Sequence, residues 1–533
     1  MKFVAYTSAA LGFAGFASAQ QYGYNHVTVR RDTEIVASAF PDVDIELLSP
    51  AFITPEIRLP GFSDGTQGPT SHEDMEEFLV NIASRNRYMT YGEASFTSEE
   101  GRSFPYVRLA NNCTRRGDKV RVWIQGATHG NEPAADEATQ ALLGKFDADP
   151  AWARSILDKV EIVVLPRYNA DGAYYFQRRL ATNFDPNRDH IKLARRQTRD
   201  IKMLLNEFSP HVIVDMHEYG SSARFGGGRY GHASDGLFSA AKNLNINADI
   251  RRLSEELFAA KIGEDMDAAG LRWEPYITGS SANGPEYVAN FAEAGTDAKI
   301  GRNAMGLTQA VTFLLEMRGI GLADQQFQRR TASGLTMVTS IVQTAADNAA
   351  EVFATIEGGI ADFVSSTEDI TVTDYSEVDI RPFTMLDVNN GSIVQVPVRF
   401  ASTTPAVANL TRSRPEAYLI PVAWPDIAER LRAYGLEVET LSEPWTGTVE
   451  ALTVTSTSLG RSYYEGVVLV EATTETNERE LTLPAGSFLV STRQKNAGLA
   501  LIALEPENID SYVSFNVVPV VPGDEYPIFR VMA

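Results

Sequence analysis

A single cysteine, Cys113, stands in the whole sequence, so an internal disulfide is excluded and stability must come from the core, which 533 residues are enough to build. Basic residues are scarce beside acidic ones: 47 Lys and Arg against 69 Asp and Glu leave a formal charge of -22, which argues against nucleic acid or an anionic membrane as partner. Past the N-terminus no apolar run approaches the length of about 18 residues that a membrane span needs, so none is expected. Internal repeats and low-complexity linkers are absent as well. The run Phe225-Gly-Gly-Gly228 has neither a Walker lysine nor dinucleotide spacing, and reads as a mobile loop bordering a site.

What is present begins with Met1-Lys2, an apolar and small run from Phe3 to Phe16, and Ala17-Ser18-Ala19 before Gln20. Charge, length and small-residue pattern predict a secretory signal peptide cleaved after Ala19, and hence a secreted, extracellular, soluble protein, expected as a monomer. Acceptor triplets for N-glycosylation start at Asn112, Asn390 and Asn409.

There are only 7 histidines, and two of them end apolar strands. The alternation Val120, Val122, Ile124 predicts a strand that delivers His129 and Glu132 into a loop, with a helix opening at Pro133. A histidine and a carboxylate three apart form half of a zinc site. A second β-branched run, Val212 to Met216, leads to His217, and a catalytic zinc takes three protein ligands plus a water, which His129, Glu132 and His217 would supply. A further strand from Gln309 ends near Glu316, a carboxylate whose burial would be costly without a task; it is the candidate general base. Between these lie an arginine pair, Arg178 and Arg179, and an Asn187-Arg188 dipeptide, and arginine forks bind carboxylates bidentately. Asn169-Ala-Asp171-Gly172 has the chemistry of a tight turn that shapes its loop.

In this order, and with Tyr91 to Arg102 ahead of them, these residues resemble the carboxypeptidase A-like zinc metallopeptidases, or funnelins, from about Thr70 to about Ala350. The resemblance implies one zinc held by His129, Glu132 and His217, with Glu316 activating its water. It implies further that Asn187 and Arg188 hold the terminal carboxylate of a peptide or protein C-terminus. Arg178 would polarise the scissile carbonyl, with Arg179 as its rival. The window where the family's capping tyrosine usually falls has none; Tyr287 and Tyr276 lie further back, with Tyr287 the candidate, and Arg302 is an alternative anion contact. The expected function is a secreted zinc metallocarboxypeptidase. Two other classes remain open: a zinc amidohydrolase acting on small N-acyl amino acids, and a non-catalytic binding module.

Metal histidines usually donate their free N–H to a carboxylate, which nominates Asp215 on the face of His217, and Asp185 or Asp189 near the clamp. His190 and His211 read as structural, Glu218 as solvated or salt-bridged on the opposite strand face, and His26, His72 and His232 have no evident partners.

The fold expectation is α/β: a mixed-sheet α/β/α catalytic domain over 70–350, preceded by the signal peptide (1–19) and an irregular extension (20–69), and followed by a β-rich, sandwich-like domain over 351–533. A helix is predicted over Ile191 to Phe208, and another after Pro425, ending at Gly435.

Overall fold

The computed structural model describes residues 29–53, 69–111, 119–282 and 284–533. The expected signal peptide, and the acceptor triplet that contains Cys113, lie outside them. At the centre is an eight-stranded mixed sheet. Its middle four strands, Val160–Leu165, Val120–Gln125, Val212–Gly220 and Val311–Ile320, are parallel neighbours in that order, and antiparallel strands flank them on both sides.

Both faces of this sheet are buried, and the period of two sorts its side chains. Val120, Val122, Ile124, Val212, Val214 and Met216 enter one core with Ala134, Ala138 and Leu142 of the helix Pro133–Ala148 and with the helix Phe327–Asp347. Trp123, Val163, Leu165 and Ile213 enter a second core with Ile201 and Leu205 of the helix Arg196–Phe208. This is the predicted α/β/α layering. One helix is shorter than expected: residues 191–195 are not helical, because the Asp189 carboxylate accepts the backbone N–H groups of Ala194 and Arg195 and Leu193 takes a positive φ.

The β-rich region follows the helix Ala349–Ser365 and forms two sheets. The hairpin Ile370–Asp387 and Ile393–Arg412 joins Tyr230–His232, Ala289–Glu293 and Ile277–Ser281 in a five-stranded sheet, so strands from both sides of residue 350 share one core around Phe291, Phe383 and Phe400. A six-stranded sheet is built from C-terminal residues alone, and includes the long hairpin Trp445–Tyr464 and Val467–Leu483. The predicted helix after Pro425 spans Pro425–Ala433.

Candidate active site

Three of the four central strands deliver the functional groups. After Val120–Gln125 the chain turns through Gly126 and Ala127, the latter with φ 50°, and His129 follows in the loop; Glu132 is the last residue before the helix Pro133–Ala148. This loop passes so close to the turn at Gly172 that a Cβ on Gly130 would lie 1.8 Å from the Gly172 carbonyl carbon, so only glycine fits there. Asn169 shapes that second turn by accepting the Gly172 N–H at 2.8 Å, and so caps a short helix, Ala170–Tyr175, where a tight turn was expected.

His217 is the sixth residue of Val212–Gly220, and is not at its exit as predicted. Glu316 sits in register with it on the adjacent parallel strand, which also runs on past its functional residue, to Ile320. Parallel register sets the two side chains beside each other on one face.

His129 Nδ1 lies 2.8 Å from Glu132 Oε1, His217 Nδ1 lies 2.9 Å from Glu132 Oε2, and the two ring nitrogens face each other at 3.1 Å. All three residues are buried, and they form the one cluster of metal-binding character found among the described residues. Their outer nitrogens turn away to carboxylates: His129 Nε2 is 3.1 Å from Asp185, and His217 Nε2 is 3.0 Å from Asp215. Asp215 is itself held by Gln125 and Thr128, each at 3.0 Å. Two inward imidazole nitrogens and a carboxylate, each histidine backed by an aspartate, is a donor set that fits zinc. Burial opposes ionisation of Glu132, but His129 and His217 outweigh it and hold its carboxyl well below the usual range. Burial raises the Glu316 carboxyl to about 8; His217 opposes that shift and the Glu132 charge adds to it.

A cleft of about 640 Å³ opens over this centre, and His129, Glu132, Arg178, Asn187, Arg188, Tyr276 and Glu316 all line it. Arg178 bonds Asp185 at 3.0 Å and approaches Glu132 at 3.5 Å, whereas Arg179 turns away to pair with Glu465 at 2.7 Å. Asn187 Oδ1 accepts the Gly301 N–H at 2.7 Å, and Arg188 Nη1 donates to the Asn187 carbonyl at 2.7 Å. Tyr287 is outside the cleft lining and Tyr276 is in it, because the strand Ile277–Ser281 starts at the cleft wall while Tyr287 lies beyond its far end. Arg302 lines the wall too, buried, with its guanidinium donating to the Gly295 carbonyl.

Elsewhere the structure meets expectation at some residues and departs from it at others. Of the two roles expected for Glu218 the structure shows the salt bridge: it is buried and ion-paired to Arg330 at 2.7 Å. His211 accepts the Arg121 N–H at 3.0 Å and is structural as expected. His190 is buried with neither ring nitrogen bonded to protein, so the expected structural hydrogen bond is not formed. Of the two candidate tyrosines Tyr276 lines the cleft, and no sequence pattern points to Glu465 as the partner of Arg179.

A mixed α/β sheet that presents a buried His-Glu-His cluster and a neighbouring buried glutamate at the floor of a cleft defines a zinc hydrolase. A sequence model of the zinc carboxypeptidase family matches residues 75–210. Carboxypeptidase 2 of Trichophyton equinum is 56% identical over 520 residues, 96% of this chain and 96% of that protein, and Carboxypeptidase 2 of Trichophyton rubrum is 54% identical over 519 residues, with the same coverage. Among solved structures, a metallo-carboxypeptidase from Burkholderia cenocepacia shares 17% identity, covering 52% of this chain and 70% of that one with a TM-score of 0.40. The chain belongs to the zinc carboxypeptidase family and is a zinc metallocarboxypeptidase, a peptide hydrolase.

Proposed function

We propose that the protein removes single residues from the C-termini of peptides, with zinc held by His129, Glu132 and His217 and with Glu316 as the base. The observation that carries this reading is that the three-donor cluster opens through His129 and Glu132 into one cleft with Glu316 and the cationic groups Arg178 and Arg188. When bound, zinc supplies a Lewis acid for the scissile carbonyl and makes a water more acidic. Glu316 would take a proton from the attacking water on its carboxylate and pass it to the leaving nitrogen. Arg178 donates to the carbonyl oxygen as negative charge develops there, in a cleft whose low dielectric strengthens the contact. Asn187 and Arg188 bind the terminal carboxylate and so set which bond is presented. Tyr276 supports a capping role by its place in the cleft wall.

We further propose secretion: it is supported by the N-terminal charge and apolar pattern, and by the exposure of Asn390 and Asn409, two of the glycosylation acceptors. Protein recovered from medium should begin at Gln20.

The test is mass spectrometry of defined peptides incubated with full-length zinc-loaded protein, with and without a chelator. Chelator-sensitive ladders that lose one C-terminal residue at a time are expected. Arg188→Ala should raise KM for free-acid peptides by on the order of 10- to 100-fold, the size of a lost charge-assisted hydrogen bond. Equal cleavage of free-acid and C-terminally amidated peptides by the wild type would refute the carboxylate clamp.

A further inference from the structure

The two strands Trp445–Tyr464 and Val467–Leu483 form a hairpin far longer than its six-stranded sheet requires: within that sheet it meets Phe529–Val531 only at Glu450↔Arg530. Towards the tip Leu459 and Tyr463 are exposed, at 71% and 74%, while Tyr464, Val467 and Leu469 pack against the main core. At the tip Gly466 is exposed as well, but Glu465 beside it is buried. Glu465 and Gly466, with φ 44° and 94°, make the two-residue turn that the strand twist favours, and Glu465 is only 8% exposed.

What covers it is the segment that carries the cleft's cations. Glu465 Oε2 accepts the backbone N–H of Asp185 at 2.8 Å, Glu465 Oε1 pairs with Arg179 at 2.7 Å, and Lys192 donates to the Glu465 carbonyl. Gly466 faces the ring of Phe184. One turn therefore grips the chain at 179, 185 and 192, on both sides of Arg188. The middle grip matters most, because the Asp185 carboxylate serves three groups: His129 Nε2 at 3.1 Å, Arg178 Nε at 3.0 Å and the Asn187 N–H at 2.9 Å. From within, the loop from Arg178 to Lys192 is held by a short helical turn, Pro186–Arg188, and by a few hydrogen bonds between residues 179 and 184.

We propose that the hairpin tip is built into the substrate site, and that Glu465 is a positioning residue which holds the Asp185–Arg188 segment in register for the substrate's terminal carboxylate. The C-terminal region then completes the cleft: Glu465 fixes the Asp185 backbone, Asp185 orients Arg178 and the start of the Asn187-Arg188 turn, and those groups meet the substrate. This rests on the clamp role proposed above for Asn187 and Arg188.

The experiment compares full-length wild type with Glu465→Ala and Glu465→Gln, on one free-acid peptide and its C-terminal amide, with zinc content and thermal midpoint measured on the same samples. Glu465→Ala orphans the buried Asp185 N–H and should raise KM for the free acid by about tenfold while kcat changes by less than about threefold. Glu465→Gln keeps an acceptor for that N–H, and should recover most of the loss. Zinc content should stay at the wild-type value. A lower thermal midpoint with unchanged KM would make Glu465 merely structural and overturn the proposal, as would an equal rise in KM for acid and amide. Should Glu465→Ala fail to fold, Arg179→Gln removes the other half of the ion pair at a partly exposed position; a severalfold rise in the free-acid KM supports the proposal and none overturns it. If wild type does not release C-terminal residues, the proposed function falls by itself, before any variant is considered.

Discussion

At the level of single residues the site separates the three groups able to hold a metal from Glu316, the proposed base. Glu316 is absent from the His129-Glu132-His217 cluster although it shares a register position with His217, so replacing it should spare the metal. Glu316→Gln is expected to keep its zinc, measured by elemental analysis, and to lose turnover by about 100- to 10,000-fold, the usual span for a general acid–base group; full activity in that variant would remove Glu316 from the mechanism. The ligands were legible because their signal is local: a strand pattern followed by His129 and Glu132, and another followed by His217. Choices between neighbours were harder to read. Arg178 and Arg179 are one residue apart, and only the fold shows that one enters the cleft while the other pairs with Glu465. That Tyr276 lines the cleft and Tyr287 does not depends on how a strand leaves the cleft wall, which no periodicity reports.

At the scale of elements, strands with two buried faces were easy to place, because Val-, Ile- and Leu-rich runs leave little alternative. Their ends were not: both Val212–Gly220 and Val311–Ile320 continue past their functional residue, since edge-to-edge pairing and the Glu218–Arg330 ion pair let polar residues stay in the sheet. The non-helical stretch at 191–195 was hidden for a similar reason, its apolar residues fitting a helical period while the Asp189 side chain takes over the backbone donors. The loop that carries His129 depends on a close approach of two turns, and this gives a prediction at its own scale. Gly130→Ala must push the Gly172 turn away, because the contact is backbone and cannot rotate aside. Displacement of His129 by even a fraction of an ångström loosens a three-donor site, so weaker zinc binding should accompany lost activity; a titration with a competing chelator that returned wild-type affinity would show the loop to be more pliable than its geometry implies.

Over the whole molecule, the five-stranded sheet that draws strands from both sides of residue 350 is a seam along which the two parts are held together, and a core shared in this way favours unfolding as one unit. His232 lies in that seam, ringed by Phe225, Phe291 and Tyr219 on a strand paired with Leu386 and its neighbours. Burial, reinforced by the charges of Arg318 and Arg224, pushes its pKa from 6.5 down to about 3. The sign follows from linkage. Above pH 6.5 the imidazole is neutral whether the chain is folded or not, and contributes no pH dependence. Between about 6.5 and 3 the unfolded chain binds a proton that the folded chain refuses, so stability falls with falling pH at about 1.4 kcal/mol per unit, and below about 3 the loss is complete. His232→Phe keeps an aromatic ring in an aromatic surround and removes the titration. In urea unfolding, the stability difference between variant and wild type should therefore shift in favour of the variant by roughly 3 kcal/mol between pH 7.5 and pH 4.5. A difference that stayed constant over that range would mean that water reaches His232 without unfolding, from the cleft that it also lines or through a local opening of the seam.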